Sequence, residues 1–458
     1  MPFLPLLLAA PLAARAADSP AATQAAGIPY ERYELPNGLQ VIFVEDHSLP
    51  QVVVDIWYQV GSGNEQAGRS GFAHLFEHLM FMGTFRLPGS GIDNLMEANG
   101  GWNNAWTMED ATNFYDVGPP ALLPTLLWIE ADRMQQLGLA MTQAKLDLQR
   151  DVVKNERRQS YEDQPYAIGE LEVPLLMYPK GHPYDHTVIG SHEDLSAASV
   201  QDVQDFFASW YVPNNASLVV AGDFDPATIK PVIEQYFGTL AKKPVPARPN
   251  PAPVDRPQKA RVTVTDNVDY PQINLYFHTP GSFAAGDAEV QLVGSLLAGG
   301  ESSRLYKKLV IGGLAQDVSA DQMPTKYGSL FQISATAAEG VKIPAIEAAI
   351  DDALKDIDTN LPSDAEMERV HNQFEYGFLD NLQSLQNRAV QLNQYWAYTG
   401  SPGYFASDIA RFRSATAEGL RDAAAKWLRP ELAGVVVIDP KPKDAAPNNG
   451  KAPAGGAK

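Results

Sequence analysis

The sequence predicts an α+β protein of two duplicated halves, each a mostly antiparallel sheet packed with helices. Three observations point there. First, 458 residues are too many for one ordinary core, so two or more domains are expected. Second, proline is dense from Pro244 to Pro257, a composition that forms an extended, semi-rigid linker. Third, the stretches on either side of that linker resemble each other. Leu49–Tyr58, with Pro50-Gln51 leading an alternating apolar run, parallels Tyr270–Phe277, with Pro271-Gln272. Farther on, Trp210-Tyr211-Val212-Pro213 before Leu218–Asp223 parallels Trp427-Leu428-Arg429-Pro430 before Val435–Asp439. Two parallels in the same order favour duplication over two unrelated α/β segments.

Along the chain, residues 1–16 read as a secretory signal. Phe3 to Leu12 is largely apolar, though broken by Pro5 and Pro11, and Ala14-Arg15-Ala16 fits a small-x-small cleavage site. No Lys or Arg precedes the apolar run, which departs from the usual pattern. The first half is expected over 28–243. It opens on a hairpin signal, Leu35-Pro36-Asn37-Gly38-Leu39 before Val41–Val44. Strands early, helices in the middle and one strand late define an α+β layout. The linker takes 244–257 and the second half 258–440. From 441 the chain is rich in Pro, Ala, Gly and Lys, and a disordered tail is expected.

Composition narrows the function. The net charge of −20 argues for solubility and against nucleic-acid binding, which needs a basic surface. No later stretch reaches the roughly 18 apolar residues of a membrane span. The chain has no cysteine, so disulfides and thiolate metal sites are excluded. That suits export to a bacterial periplasm or secretion.

The chemistry concentrates in His74-Leu75-Phe76-Glu77-His78. With His74 at zero and about 100° per residue, His78 falls near 40° and Glu77 near 300°. Phe72, Leu75, Phe76, Leu79 and Met80 fall on the opposite side, so the segment is an amphipathic helix bounded by Gly71 and Gly83. Two histidines one turn apart can grip one metal ion, and a glutamate on the same face can act as base toward a water. The chain has only eight histidines, which makes this spacing informative. H-x-x-E-H is the inverted form of a zinc-hydrolase motif. Catalytic zinc usually takes three protein ligands, so a third is needed from elsewhere. Glu156, in the helical stretch Leu146–Glu162, falls within an arc shared with Leu148, Val152 and Val153. A carboxylate inside an apolar stripe is either metal-bound or paired in a buried salt bridge.

HLFEH, with Glu156 far downstream in Asp151-Val152-Val153-Lys154-Asn155-Glu156-Arg157-Arg158, resembles the metal site of the pitrilysin/insulinase zinc peptidases, the inverzincins. The resemblance runs from about Tyr30 to Pro440 and is nearest to the smaller two-domain branch that includes mitochondrial processing peptidase and bacterial relatives. It implies one zinc held by His74, His78 and Glu156, with Glu77 as general base. It also implies that each chain forms half of a clamshell chamber taking unstructured peptides. Gly100–Thr107 resembles the family stretch that holds the substrate backbone, and Asn104 is the residue carried over; its simpler reading is a turn asparagine. His182-Pro183-Tyr184 and Ile189-Gly190 also look familial. A second metal site at His182, His186 and His192 is the weaker reading; loop histidines on the surface are expected instead.

Two departures matter. Many members carry a second glutamate two turns before the third ligand, where this chain has Gln149. Active single-chain relatives also carry an arginine and a tyrosine in the second half that hold substrate. The matching stretch, Leu309 to Gln316, places Val310 and Gln316 there. The resemblance therefore implies a heterodimer, with a homologous partner subunit supplying the Arg/Tyr pair. Relatives of the fold also serve as non-catalytic core or peptide-binding subunits, a reading that the intact His, His, Glu and base count against.

Overall fold

A computed structural model describes residues 27–254 and 259–442. The expected signal segment and almost all of the expected tail lie outside the described residues, as do the last residues of the linker.

The first sheet is six-stranded. Its strands are β1 (Glu31–Glu34), β2 (Gln40–Glu45), β3 (Val52–Tyr58), β4 (Trp102–Thr107), β5 (Thr112–Gly118) and β6 (Ala216–Gly222), in the order β1-β2-β6-β3-β5-β4. The second is five-stranded: β7 (Ala260–Asp266), β8 (Gln272–Thr279), β9 (Ala315–Met323), β10 (Ser329–Ala337) and β11 (Gly434–Pro440), in the order β7-β11-β8-β10-β9. The duplication is visible in the topology. Apart from the extra edge strand β1, the first sheet repeats the second strand for strand, with β3 matching β8 and β6 matching β11. Each sheet is antiparallel except for one parallel pair, β2 with β6 and β7 with β11. Those pairs join each half's first long strand to its last, which needs a long crossover rather than a hairpin.

The helices of the first half are α1 (Phe72–Leu79), α2 (Gly91–Ala98), α3 (Leu123–Gln136), α4 (Gln143–Arg157), α5 (Val173–Met177), α6 (His192–Ala197), α7 (Val200–Trp210) and α8 (Pro226–Phe237). Those of the second are α9 (Asp287–Ala298), α10 (Ile343–Thr359), α11 (Asp364–Asn381), α12 (Leu385–Thr399), α13 (Phe405–Arg413) and α14 (Ala417–Trp427). Each half has its own core between one sheet face and its helices. Val54, Ile56, Leu75, Phe76, Leu126 and Phe237 belong to the first; Leu275, Leu296, Ile350 and Val435 belong to the second.

The other face of each sheet is covered by the opposite half. Leu392 and Tyr395 of α12 and Phe405 of α13 pack on Val53, Tyr115 and Val219. In return, Val173 and Met177 of α5 pack on Tyr276, Val436 and Ile438. This explains why β3, β5 and β6 are buried along their whole length: β3 and β6 are largely apolar rather than alternating, while β5 also buries Thr112, Asn113 and Asp116. Polar ties cross the same boundary: Asn393 of α12 donates to the buried Asp55 carboxylate of β3. The described part of the linker has no helix or strand and lies against the first half. There Arg248 hydrogen-bonds Gln59 and Asn215 and lies over the Trp210 ring.

Candidate metal centre

The HLFEH segment is helical, as its periodicity predicts, and α1 turns its apolar residues into the first core. Its N-terminus has an unusual cap. Gly71 has φ 87°, a left-handed conformation, and an added Cβ would come within 2.7 Å of the Ile189 carbonyl oxygen. Having no side chain to cap the helix, Gly71 leaves that task to Glu65. The fully buried Glu65 carboxylate accepts from the Gly71 and Ala73 amides at 2.9 and 2.6 Å. His186 completes the arrangement, its Nε2 2.8 Å from Glu65. Burial opposes a charge on His186, but its bonds to Glu65 and Asp185 outweigh burial and raise its pKa to about 9. Burial pushes the Glu65 carboxyl up, opposed first by His186 and then by the two amides, and the paired side chains anchor the start of α1.

Glu156 reaches the same spot from the last turn of α4. Its carboxylate oxygens lie 3.6 Å from His74 Nε2 and 3.1 Å from His78 Nε2, and the two Nε2 atoms are 3.3 Å apart. Four ligand atoms placed tetrahedrally about 2.0–2.2 Å from one zinc ion stand about 3.3–3.6 Å from each other. The donor set therefore fits zinc in both chemistry and spacing. Among the described residues, these three are the group able to hold a metal ion. Burial pushes the His74 pKa down to about 4, His78 adds to the depression, and Glu156 opposes it. A neutral imidazole is the form a metal needs. His74 Nδ1 is buried with no hydrogen-bond partner among the described residues. Glu156 is held below its ordinary value, first by the hydrogen bond from His78.

The apolar arc expected around Glu156 is corrected. On α4 the buried residues are Leu146 and Val153, whereas Leu148 is 54% and Val152 39% exposed. Leu146 and Val153 lie two turns apart and face the first core. Leu148 and Val152 lie about 100° or more around the helix from that line. Glu156 falls between the two, at the rim of the centre rather than in the core. Gln149 donates to the Met82 sulfur at 2.7 Å, not to a metal ligand.

Glu77 lies on α1 beside the cluster. Burial raises its pKa, against a hydrogen bond at 2.5 Å from the Thr107 hydroxyl. Thr107 was not singled out in the sequence. Its signal was strand alternation, which puts Asn103, Ala105 and Thr107 on one face and Asn104 on the other. Asn104 lies on β4, the edge strand of the first sheet. With Glu77, His78, Phe81, Asp93, Met96, Glu97, Trp102 and Asn103 it lines a cleft of about 410 Å³. Its Oδ1 accepts from the Ala105 amide at 2.9 Å, so that amide is turned away from the β4–β5 ladder.

The histidines expected at the surface are corrected as well. His182 is buried, stacked on Tyr178, and His186 is the partner of Glu65. His192, at the start of α6, bonds Glu162. The three do not form a metal-ligand group. Val310 lies in the short helical segment Tyr306–Ile311, and Gln316, at the start of β9, donates to the Ala337 carbonyl. No helix among the described residues is long and apolar enough to cross a membrane.

Residues 40–176 match the family model described as "Insulinase (Peptidase family M16)", and 197–374 match "Peptidase M16 inactive domain". The zinc protease PqqE of Helicobacter pylori is 29% identical over 371 residues, covering 80% of this chain and 83% of that protein. The crystal structure of a protease from Helicobacter pylori superposes with a TM-score of 0.84 at 25% identity, covering 90% of this chain and all of that one. The periplasmic protease PqqL of Escherichia coli has the same fold, with a TM-score of 0.71 at 18% identity; the match covers 90% of this chain but 48% of that one. Two halves of one topology and family matches to both give one conclusion: the chain belongs to the insulinase family of peptidases, M16, in its small two-domain branch.

Proposed function

We propose that the chain is a zinc metalloendopeptidase that hydrolyses extended, unstructured peptides. In this reading His74, His78 and Glu156 hold one zinc ion and Glu77 is the general base. The observation that carries it is the meeting of three ligand side chains from two distant helices within 4.8 Å, with Glu77 beside them. The chemistry zinc would supply is Lewis-acid activation of water and of a peptide carbonyl. Glu77 takes the proton of the attacking water and delivers it to the leaving amine. Thr107 fixes the orientation of that carboxylate.

The substrate backbone adds to the free edge of β4, as extended peptides add to sheet edges elsewhere. The Ala105 amide is available for it once the Asn104 side chain swings away, and Asn104 then holds the peptide. A folded protein cannot offer an unpaired strand there, so the substrates are unstructured. This chain carries the catalytic site of a heterodimer. A homologous partner subunit closes the chamber and supplies the arginine and tyrosine absent at Val310 and Gln316. The enzyme works in the periplasm or outside the cell, a reading supported by residues 1–16 and by the periplasmic relative PqqL.

Zinc content by mass spectrometry, with cleavage of disordered peptides and of a folded control protein, tests the reading. One zinc per chain and cleavage confined to the peptides are expected. A protein without metal that cleaves nothing, with or without a homologous partner, is a scaffold subunit instead. Full activity of the isolated monomer would refute the heterodimer.

A further inference from the structure

The two halves also touch at equivalent hairpin turns. Thr107 ends β4, and the Met108 amide bonds the Ala111 carbonyl at 2.9 Å to close a tight turn into β5. On one side this turn is pinned to the approach to α1: the Ser62 and Gly63 amides donate to the Met108 and Glu109 carbonyls at 3.1 and 2.8 Å. On the other side it meets the segment joining β9 and β10, the matching hairpin of the second half. Asp110 makes that junction. Its half-buried carboxylate accepts from the Tyr184 hydroxyl at 2.6 Å, the Lys326 amide at 2.8 Å and the Tyr398 hydroxyl at 3.2 Å. Lys326 and Tyr398 belong to the second half. Tyr398 also reaches the Met108 sulfur at 3.9 Å, next to Thr107.

We propose that Asp110 is a positioning residue through which the half without a metal motif holds the Thr107 hydroxyl on Glu77. The inference rests on the peptidase reading. The bond from Thr107 to Glu77 is 2.5 Å, so a shift of the turn by about 1 Å breaks it. Misplacement on that scale in an active site can cost about a hundredfold in rate. The second half then has a task beyond packing and enclosing substrate: it fixes the turn that orients the base.

The test uses the full-length, zinc-loaded protein, with its partner if activity requires one, and a fluorogenic peptide. Asp110→Asn, Thr107→Val, their double variant, Tyr398→Phe and the control Leu385→Ala are compared for kcat, KM, zinc content and melting temperature. Leu385 packs on the outer face of the first sheet, away from the turn. Thr107→Val should lower kcat about 10- to 100-fold with KM and zinc unchanged. Asp110→Asn should lower kcat about tenfold, and Tyr398→Phe, the milder change, should lower it in the same direction. The double variant should be no slower than Thr107→Val, because Asp110 acts through Thr107. Leu385→Ala should lower the melting temperature and spare kcat. Kinetics of Asp110→Asn and Tyr398→Phe within twofold of the parent would overturn the inference while leaving the peptidase reading intact. So would a double variant slowed by the product of the two single effects. A zinc-loaded parent that cleaves no peptide would overturn the peptidase reading and this inference with it.

Discussion

Asp55 gives the stability of the protein a pH dependence that can be worked from the structure. Its side chain lies on β3, fully buried under α12, and accepts from Asn113 and Asn393. Burial raises its pKa to about 7, opposed by the two asparagines and reinforced by Asp116. In an unfolded chain an aspartate titrates near 3.9. A carboxyl whose folded pKa lies above its unfolded one stabilises the fold at low pH. That stability is lost as pH rises from about 4 through about 7. Between pH 5 and pH 8 the loss amounts to roughly 2.5 kcal/mol. For a chain of this length that is about 3 °C in melting temperature. Asp55→Asn removes the titration. The Asn113 and Asn393 Oδ1 atoms are buried without partners among the described residues, so rotating either amide offers the new side chain an acceptor. Calorimetry of parent and variant at both pH values is the assay. The parent should lose about 3 °C more than the variant on going from pH 5 to pH 8. Equal losses, or a variant that loses more, would show that Asp55 does not carry this pH dependence.

Three further outcomes follow from the same contacts. Glu65→Gln removes the anion that caps α1 and pairs with His186, and should weaken zinc affinity about 10- to 100-fold; chelator competition measures it, and an unchanged affinity would exclude the anchoring role. Leu392→Ala on α12 should cost about 2–5 kcal/mol, read as a lower melting temperature, because the cavity lies against the first sheet. Residues 28–243 expressed alone lack α12 and should bind a hydrophobic dye or aggregate; a soluble monomer that binds no dye would show that the outer sheet face needs no cover.

Much of this architecture was legible in the sequence because it rests on local pattern. The helical period of Phe72–Met80 placed His74, Glu77 and His78 on one side of α1 without any tertiary information. The repeated Pro-Gln strands and the late apolar strands mark β3 with β8 and β6 with β11, the elements that define the two sheets. Glu156 could be nominated but not surrounded. Which arc of α4 is buried depends on how that helix lies across α1, and periodicity alone does not distinguish a core stripe from a cleft rim. Thr107, Glu65 and Asp110 escaped for a related reason. Each acts on a residue distant in sequence or on a backbone amide; alternation on β4 gives the face of Thr107 but not the side chain that it meets. His182 and His186 looked like loop residues, and their segment is irregular, yet it is packed between the halves, where a charged His186 finds Glu65.

The role proposed for Glu77, as base at a metal held by His74, His78 and Glu156, is decided by the zinc-loaded Glu77→Gln protein. That variant should bind one zinc per chain as tightly as the parent, with peptide cleavage reduced at least about a hundredfold. A zinc-loaded variant that cleaves peptides at the parent's rate would contradict that role.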